Sequence, residues 1–425
     1  MKKVLIISFL FNQEQATGSM RSRGLAKYLR DFGWEPVILT TNNMDSTLRT
    51  DLEIIDVPYE DLTIKWKEKL GRDSSETLEN QMGVAESNGR NAILNVTTRI
   101  WEEIFAYPDL QKKWLQPAVE AGDNVLKDGE YSAILSSSFP PTAHLVANEL
   151  KRRHGVLWIA DLRDLWTQNH YYGYSPARRI IETRLELKTL SIADAIVTVS
   201  EPLAKSLETL HGEGRVTAIL NGFDPDDFIT KPCFSNKFTI TYTGSLYRGK
   251  RDPTPLFRAL RDLIAKGDMD INDIAIDFYT PQDNALLKGI IKHGLNDVVK
   301  IRGLVPHRDV VTRQREAQLL LLLTWMNPEE EGVCPAKVFE YFAAKRPIIS
   351  IGPPESVLKG LLNSTHAGVH LSNYEELVRE LRRAYAEFKT DGLVTYRGVA
   401  SEIAKYSQKE MTRKFAELFT KIQNG

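Results

Sequence analysis

Residues 319–351 read LLLLLTWMNPEEEGVCPAKVFEYFAAKRPIISI, which is the pattern of a strand, a helix and a second strand. The apolar runs at residues 319–323 and 348–351 have the length and composition of buried strands. Between them, Pro335 suits the first turn of a helix and Pro347 ends that helix, because proline lacks a backbone N–H group. Two buried strands joined by a helix predict a parallel sheet.

The same alternation of short apolar runs and amphipathic stretches continues along most of the chain. Parallel sheets that carry helices on both faces have this pattern. The remaining predicted strands cover residues 3–9, 36–40, 53–57, 133–136, 157–160, 195–199, 216–220, 239–243, 274–279 and 298–301. The sequence therefore predicts the α/β class, with two Rossmann-like, doubly wound parallel-sheet domains.

A polar stretch rich in turn residues, residues 221–232, separates the two series of strands. It predicts an N-terminal domain at residues 1–229 and a C-terminal domain at residues 230–400. Residues 60–128 offer no convincing strand and predict a helical insertion in the first domain. A charged amphipathic helix at residues 401–425 can pack on either domain, including by a return to the N-terminal one.

Composition and charge exclude several classes of protein. The 425 residues carry 55 Lys and Arg against 56 Asp and Glu, so a net charge of −1 offers no general attraction for nucleic acid. Two cysteines, Cys233 and Cys334, give neither a disulfide framework nor a zinc cluster, which indicates a cytoplasmic location. No apolar run approaches the ~20 residues that span a bilayer, so contact with the inner face of a membrane would be peripheral.

Residues 242–253, YTGSLYRGKRDP, combine a strand end, a glycine and several cations. A strand that ends at residue 243 and a helix that starts at Pro253, with Asp252 as its cap, place Gly244 where a phosphate can approach the backbone. The cations are Arg248, Lys250 and Arg251. A charge-assisted hydrogen bond contributes roughly 1.5 to 3 kcal/mol, which exceeds the roughly 0.3 to 1 kcal/mol of a helix dipole. The alternative is a basic surface loop.

The helix that begins near Pro335 and Ala336 directs its N-terminus to the same end of the predicted sheet. Lys337 and Glu340 share one face of this helix, because residues three positions apart are neighbours there. The helix N-terminus can receive phosphate, and Glu340 can accept hydrogen bonds from ribose hydroxyl groups. The alternative is a simple surface pair of Lys337 and Glu340.

In the first half, residues 10–17 lead from the first strand to Gly18 and Ser19 at the start of a helix. Small residues before a helix can form a general anion site, although an ordinary strand-to-helix turn has the same pattern, and Arg21 is either a second phosphate contact or a surface charge. This segment contains neither Gly-x-Gly-x-x-Gly nor a phosphate-loop Gly-Lys-Ser/Thr. It therefore does not predict a dinucleotide site.

Two further loops can face an acceptor. Arg163 can bind an acceptor phosphate and Asp164 can orient a hydroxyl group, or the two can form a structural ion pair. Residues 136–141, SSSFPP, end a strand at the same side of the sheet and form an expected acceptor wall. His144, on the helix that follows, is more often a packed core histidine.

The order and spacing of these motifs resemble the GT-B glycosyltransferases, in particular the retaining family 4. The C-terminal motifs are GSL at residues 244–246 with a following lysine, and PAKVFEYFAAKRPI at residues 335–348. The N-terminal motifs are GSMR at residues 18–21, WIADLRDLW at 158–166, TVSEPL at 198–203 and NGFD at 221–224. The likeness covers nearly the whole chain and implies two domains that face each other across a cleft.

The resemblance implies a role for each part of the donor site. Gly18 and Ser19 would contact the donor diphosphate from the N-terminal domain, and Lys250 would bind it from the C-terminal domain. Glu340 would hold the ribose. The other implied contacts to the donor come from Arg21, Gly244, Ser245, Arg251, Pro335, Ala336 and Lys337, with the backbone of Leu304 and Val305 at the base.

The sequence departs from the family pattern at several positions. Ser245 stands where the family usually has an arginine, so a nearby arginine would have to replace it. The first glutamate of a conserved pair falls on Gly332, and Glu331 can replace it only if the loop shifts. Lys345 replaces a glycine at the helix end, and Arg163 stands where many relatives have a histidine.

In a retaining enzyme of this family, the leaving phosphate can itself take the acceptor proton. No dedicated nucleophile, metal ion or cofactor is then needed, and the nucleotide sugar is a co-substrate. The expected catalytic groups are Lys250, Arg248, Arg163 and Asp164. The expected activity is transfer from a UDP-sugar to a glycan or lipid-linked acceptor, in the synthesis of cell-surface polysaccharide or glycolipid. The alternatives are a nucleotide-sugar epimerase or hydrolase, and a non-catalytic nucleotide-sugar binding protein.

Aromatic residues and lysines occur together in the predicted insertion, around Trp66, Trp101 and Trp114. Such mixtures suit a surface that rests on a membrane interface near a lipid-linked acceptor. Ordinary packing of the inserted helices is the more frequent reason for the same composition.

Overall fold

The chain forms two units. The computed structural model describes residues 1–13, 17–41, 52–59, 103, 106–127, 129–228 and 234–424. Unit 1 comprises Met1–Leu220 and Met411–Gly425, and unit 2 comprises Asn221–Glu410. The chain thus leaves unit 1 upstream of the boundary expected at residue 230, and it returns after Glu410.

Unit 1 is built on a seven-stranded sheet in which all neighbouring strands are parallel. Its strands are β1 (Lys2–Ile7), β2 (Trp34–Thr41), β3 (Glu53–Val57), β4 (Tyr131–Ser137), β5 (Leu157–Asp161), β6 (Ala195–Thr198) and β7 (Val216–Ala218). Their spatial order is β3-β2-β1-β4-β5-β6-β7. Along β1, Leu5 and Ile7 belong to one buried cluster and Val4 and Ile6 to another, as the two-residue period of a strand requires.

Helices cover the sheet of unit 1. They are α1 (Thr17–Tyr28), α2 (Leu115–Leu126), α3 (Thr142–His154), α4 (Pro176–Leu190) and α5 (Glu201–His211), with 3-10 helices at Leu29–Phe32 and Lys112–Trp114. Most of the predicted insertion at residues 60–128 lies outside the described residues. Its described part includes α2, which packs against α3.

Unit 2 contains a second parallel sheet, of six strands. Its strands are β8 (Phe238–Thr243), β9 (Ile274–Tyr279), β10 (Val299–Ile301), β11 (Leu319–Leu323), β12 (Ile348–Ile351) and β13 (Gly368–Leu371). Their spatial order is β10-β9-β8-β11-β12-β13. The predicted α/β class with two parallel sheets is confirmed.

The helices of unit 2 connect these strands. They are α6 (Thr254–Ala265), α7 (Asn284–Lys292), α8 (His307–Glu316), α9 (Lys337–Ala344), α10 (Val357–Thr365), α11 (Tyr374–Asp391) and α12 (Ala400–Ala404), with 3-10 helices at Pro225–Phe228, Tyr247–Gly249, Ile271–Asp273 and Pro328–Glu330. The stretch at residues 319–351 forms β11, α9 and β12, as its pattern predicts. Lys345 directly follows α9 and has a φ of 54°, a left-handed conformation that glycine adopts most easily.

The last helix, α13 (Gln408–Asn424), carries the chain back to unit 1. Its side chains Met411, Phe415 and Phe419 are buried in a cluster that includes Leu25 and Trp34. Of the two packings that the sequence left open for the C-terminal helix, the structure shows the one on unit 1.

Some predicted element bounds were wrong by a few residues. Helix α6 begins at Thr254, one residue later than predicted, and Asp252 accepts a hydrogen bond from the N–H of Thr254, the bond expected of a residue that caps a helix start. Helix α9 begins two residues after Pro335. Strand β13 was not predicted, since only its last residue is fully buried and its apolar pattern is short.

Candidate functional site

The candidate donor residues lie at the carboxyl end of the sheet in unit 2. The strand order reverses between β8 and β11, and in open α/β sheets ligands bind beside such a switch point. Gly244 directly follows β8, and Trp325 follows β11 closely. The chain that leaves the carboxyl end of β11 leads to the N-terminus of α9.

Gly244 and Lys337 are brought together at this point. Gly244 has a φ of 96°, and its N–H donates to the carbonyl of Tyr279 at 2.9 Å. The ammonium of Lys337 donates to the carbonyl of Thr243 and lies 4.1 Å from the centre of the Tyr242 ring. A Cβ atom on Gly244 would come within 3.0 Å of Lys337 Nζ. The backbone angle therefore favours glycine at this turn, whereas a Cβ atom there would only displace the end of the flexible Lys337 side chain.

Glu340 is held in a defined position one turn inside α9. Its Oε2 accepts a hydrogen bond from Gln314 Nε2 at 3.0 Å, and its Oε1 lies 3.4 Å from His307 Nε2. Burial raises the pKa of Glu340, but the hydrogen bonds from His307 and Gln314 and the nearby charges hold it below its usual range. The side chain is 13% exposed, so an ionised acceptor of hydrogen bonds remains open to a ligand.

A buried network extends from Glu340 into the sheet. Gln314 also donates to Thr243 Oγ1 at 3.2 Å, and Thr243 in turn pairs with the hydroxyl of Tyr341. The Tyr341 hydroxyl donates to the carbonyl of Leu321 in β11 at 3.1 Å. The network ties the end of β8 to α8, α9 and β11, so Glu340 is oriented by groups on several elements. The interpretation of Lys337 and Glu340 as a simple surface pair is wrong, because Lys337 donates to the end of β8 and Glu340 accepts from Gln314 on α8.

The predicted cations after β8 have different surroundings. Lys250 Nζ lies 4.6 Å from the centre of the Trp325 ring. The guanidinium of Arg251 is buried and lies 4.1 Å from the Tyr247 ring. The side chain of Arg248 lies outside the described part of the chain. Ser245 Oγ accepts the N–H of Tyr247 at 3.1 Å, which holds the turn locally.

The other predicted donor contacts lie around this strand end. Leu304 is exposed and Val305 half-buried, and both follow Gly303, which has a φ of 77°. Pro335 is buried and Ala336 half-buried, and the two residues precede α9 directly.

The loop before α9 exposes Glu331. The N–H of Glu331 donates to Pro328 and its carbonyl accepts from Val357, so the backbone of this loop is fixed. Glu330, which was not predicted, is buried. Neither side chain makes a described contact with Glu340, and the replacement of the missing glutamate by Glu331 stays a prediction.

In unit 1, Arg21 is neither a surface charge nor an open phosphate contact. The residue is 2% exposed, and its guanidinium donates to both carboxylate oxygens of Asp161 and to the carbonyl of Ile219 at 2.9 Å. Asp161 also accepts from Ser137. The predicted donor contact from Arg21 is therefore corrected. Its role is structural, because a buried guanidinium needs these acceptors.

Gly18 and Arg163 lie next to each other. A Cβ atom on Gly18, in the first turn of α1, would come within 3.6 Å of the Arg163 guanidinium. Arg163 forms an ion pair with Asp164 at 2.5 Å, while its buried Nε has no partner among the described residues. Ser19 is buried and donates to the carbonyl of Gln13 at 2.7 Å. The predicted anion site thus has a cation beside a helix N-terminus.

His144 is a core residue, as its sequence context suggested. Ser136 Oγ lies 2.8 Å from His144 Nδ1 and accepts the indole N–H of Trp158 at 2.8 Å. Burial lowers the pKa of His144 to about 3, so the ring is neutral at physiological pH.

Trp114 does not support the membrane surface suggested by the composition of the insertion. It is completely buried and packs edge-on against Phe9, with ring centres 5.3 Å apart. Ordinary packing therefore explains Trp114. Trp66 and Trp101 lie outside the described residues.

A pocket lies in unit 1 beside the loop at residues 138–141. Aromatic side chains form much of its lining, and they are Phe139, Trp166, Tyr171, Tyr172 and Tyr174. Asp164 lies at the same pocket. The structure therefore places the predicted acceptor wall and one predicted catalytic group in a single pocket of unit 1.

Residues 18–222 match the family model described as the glycosyl transferase 4-like domain. No curated protein matches the sequence. In the part of the chain that the structure describes, no helix has the length and apolar character needed to cross a membrane, and no cluster of metal-binding side chains is present.

Several solved structures share the fold over nearly the whole chain. A glycosyltransferase from Rickettsia africae is 14% identical with a TM-score of 0.62, and the match covers 99% of this chain and 98% of that one. The Anabaena protein HepE in complex with UDP and glucose is 13% identical with a TM-score of 0.66, over 99% and 100% of the two chains. Sucrose-phosphate synthase from Thermosynechococcus elongatus is 13% identical with a TM-score of 0.64, over 99% of each chain. The chain has the GT-B fold.

Sequence reasoning missed the residues that orient the predicted ones. His307, Gln314, Tyr341 and Trp325 surround Glu340, Gly244 and Lys250. Tyr341 lies inside a recognised motif and could have been singled out by its position beside Glu340. His307 and Gln314 lie on α8 and Trp325 follows β11, and no local pattern marks any of the three.

Proposed function

We propose that this chain, a glycosyltransferase of the family 4 (group 1) type, transfers a sugar from a UDP-sugar to a glycan or lipid-linked acceptor with retention of configuration. The observation that supports the donor site best is the position of the Glu340 carboxylate, which Gln314 and His307 orient by hydrogen bonds. Glu340 lies on α9 together with Lys337, and Gly244 lies nearby at the end of β8. The carboxylate offers acceptors for ribose hydroxyl groups beside a glycine turn that a diphosphate can approach. The Anabaena protein was solved with UDP and glucose, which favours UDP among the nucleotides.

The proposed chemistry is electrostatic. Lys250 is a compact cation on the turn after β8, and it would stabilise the diphosphate as the bond between phosphate and sugar breaks. The leaving phosphate oxygen would take the proton of the acceptor hydroxyl on the face that it departs from. Neither a metal ion nor a further cofactor takes part in this proposal.

The acceptor is proposed to bind unit 1. The pocket beside residues 138–141 has aromatic rings on which a sugar or an apolar group can pack, and Asp164 can orient a hydroxyl group there. Arg163, beside the N-terminus of α1, would contact a phosphate. We place the protein in the cytoplasm, at the inner face of the membrane, in the synthesis of cell-surface polysaccharide or glycolipid.

A panel of nucleotide diphosphates and their sugars tests the donor assignment. We expect UDP and one UDP-sugar to raise the melting temperature, because a ligand that binds only the folded state stabilises it. GDP, ADP and TDP serve as matched controls, and a larger shift with any of these would overturn the choice of UDP.

Product analysis tests the reaction. NMR of the product formed from the preferred donor should show the same anomeric configuration as in the donor. An inverted product would contradict retention. Release of an epimerised or free sugar at an equal rate without acceptor would identify an epimerase or hydrolase, and binding without turnover would identify a non-catalytic binding protein.

A further inference from the structure

Helix α4 exposes several large aliphatic side chains on its outer face. Ile180 is 57% exposed, Ile181 54% and Leu187 37%. These are three of the ten large hydrophobic residues that are exposed in the described part of the chain, and all three fall on one helix of 15 residues. Single exposed aliphatic residues are ordinary, whereas a group on one face marks an interaction surface.

The charges on α4 are sorted between its two faces. Arg179, Arg184 and Lys188 are exposed. Both acidic residues of the helix, Glu182 and Glu186, are buried. The outer face of α4 therefore carries aliphatic side chains and positive charges, with no carboxylate.

Interactions within unit 1 hold the two acidic side chains inward. Glu182 accepts hydrogen bonds from Arg178 Nε at 2.6 Å and from the indole N–H of Trp166 at 3.2 Å. Glu186 accepts from the N–H of Thr167 at 3.0 Å, and it pairs with His211. Because both carboxylates have internal partners, they do not neutralise the outer cations. No described carboxylate lies within ion-pair distance of Arg179, Arg184 or Lys188.

The same surface continues toward the pocket of unit 1. Residues 169–174 precede α4 and supply three tyrosines to the lining of that pocket. Tyr174 also borders a shallow groove formed by the first turns of α4, together with Arg179 and Ile180. Tyrosine rings beside cations and aliphatic side chains suit the boundary between lipid headgroups and acyl chains.

We propose that the outer face of α4, formed by Arg179, Ile180, Ile181, Arg184, Leu187 and Lys188, docks on the surface of an anionic lipid bilayer. The aliphatic side chains insert at the headgroup boundary and the three cations contact lipid phosphates, as in an amphipathic helix that lies in the membrane plane. Because Tyr174 lines both the pocket and the groove on α4, docking brings this part of the pocket lining to the bilayer. The docking is argued from the exposed side chains of α4 alone. The resulting preference for a lipid-linked acceptor rests on the proposed function.

Flotation with vesicles tests the docking directly. We expect the full chain to float with vesicles of phosphatidylcholine and phosphatidylglycerol, to float poorly with phosphatidylcholine alone, and to dissociate as salt is raised. The double variants Ile180→Ser/Ile181→Ser and Arg184→Ser/Lys188→Ser should each bind at least about tenfold more weakly, because each removes one of the two contributions.

A matched control lies on α7 of unit 2, where Ile291 is 66% exposed beside the exposed Lys292. The variant Ile291→Ser/Lys292→Ser should float like the unchanged protein. All variants should keep the melting temperature of the unchanged protein, because the altered side chains are exposed. The vesicles contain neither donor nor acceptor, so this test is independent of the proposed transfer reaction.

Three results would overturn the proposal. The unchanged protein could fail to bind anionic vesicles, or the α4 variants could bind as tightly as the α7 control. Alternatively, sedimentation could show a dimer that Ile180→Ser/Ile181→Ser dissociates while vesicle binding is unchanged. That outcome would assign the α4 face to a second copy of the chain.

Discussion

At the scale of single residues, burial and hydrogen bonding act on ionisable groups in opposite directions. Glu340 keeps a lowered pKa despite its burial, because Gln314 and His307 lie beside its two oxygens. His144 is buried with one hydroxyl partner and loses basicity. The difference lies in the number of partners that favour the charged form.

The pH dependence of unit 1 provides a test at this scale. Burial lowers the pKa of His144 to about 3. As the pH falls below about 6.5, His144 therefore binds a proton in the unfolded chain but stays neutral in the folded chain. The stability contributed by neutral His144 is therefore lost as the pH falls. We expect His144→Gln, which keeps an acceptor for Ser136, to lose about 2 kcal/mol less than the unchanged protein between pH 7 and pH 5.

Asp109 is a control in which burial shifts the pKa in the opposite direction and acidification has the opposite effect on stability. Burial raises the pKa of Asp109 to about 6, although Thr142 donates to it from both its N–H and its hydroxyl group. Asp109 then binds a proton more tightly in the folded state than in the unfolded state. The free-energy cost of burying its carboxylate therefore decreases as the pH falls. In urea unfolding followed by tryptophan fluorescence, Asp109→Asn should lose more stability than the unchanged protein on acidification. Identical pH profiles for all three proteins would contradict both assignments.

The limits of prediction at this scale are shown by Arg21. Its segment matches an anion site, and nothing local reveals the partner that removes it from solvent. Asp161 lies 140 positions away and becomes a neighbour only because α1 packs near the end of β5. Gly244, Lys337 and Glu340 could be selected because their motifs are short and continuous. Gln314 and His307 could not, because α8 reaches Glu340 only in the folded sheet.

At the scale of helices and strands, the end of α9 is a point of backbone strain. Lys345 has a φ of 54°, a left-handed conformation that costs a residue with a Cβ atom roughly 1 to 2 kcal/mol. We expect Lys345→Gly to raise the free energy of unfolding by about 1 kcal/mol, since glycine adopts this conformation without the steric cost. The measurement is urea unfolding of the two proteins side by side.

Lys405, at the end of α12, is the matched control for this prediction. It is also a lysine at a helix C-terminus, but its φ of −63° is right-handed. Lys405→Gly should leave the stability unchanged or lower it, because glycine there gains no conformational relief. An equal stabilisation by both substitutions would show that the backbone angle of Lys345 is not the cause.

Strands were predicted from sequence more completely than the loops around them. Strands β8, β11 and β12 are buried along their whole length and β9 along most of its length, because helices cover both faces of the sheet. Strand β13 lies at the sheet edge, where Gly368, Val369 and His370 are only half-buried, so its pattern is weak. Helix starts were predicted one or two residues early, because proline fixes the entry into a helix without being its first residue.

At the scale of the whole molecule, α13 links the stability of unit 1 to the last residues of the chain. Phe415 is completely buried and lies 4.8 Å below the guanidinium of Arg21. We expect Phe415→Ala to lower the stability of unit 1 by about 3 to 5 kcal/mol, because it leaves a cavity and removes a contact of a buried cation. Lys421→Ala, at an exposed position of the same helix, should change it little.

Nucleotide binding distinguishes the two units in the Phe415→Ala protein. The proposed ribose and phosphate groups after β8 belong to unit 2, whereas Phe415 packs in unit 1. The shift in melting temperature caused by UDP should therefore persist in the transition of unit 2. If the Phe415→Ala protein instead showed a single unfolding transition at a lowered temperature, the two units would unfold as one cooperative body, which would contradict this expectation.

The central claim is that the turn after β8 binds and stabilises the diphosphate of a nucleotide sugar. Lys250→Ala tests this claim most directly, with Lys266→Ala as a control because Lys266 is an exposed lysine at the far end of α6. Under saturating donor and acceptor, we expect Lys250→Ala to lower the rate of sugar transfer roughly 100- to 1,000-fold with an unchanged melting temperature. A transfer rate close to that of the unchanged protein and of Lys266→Ala would contradict the account.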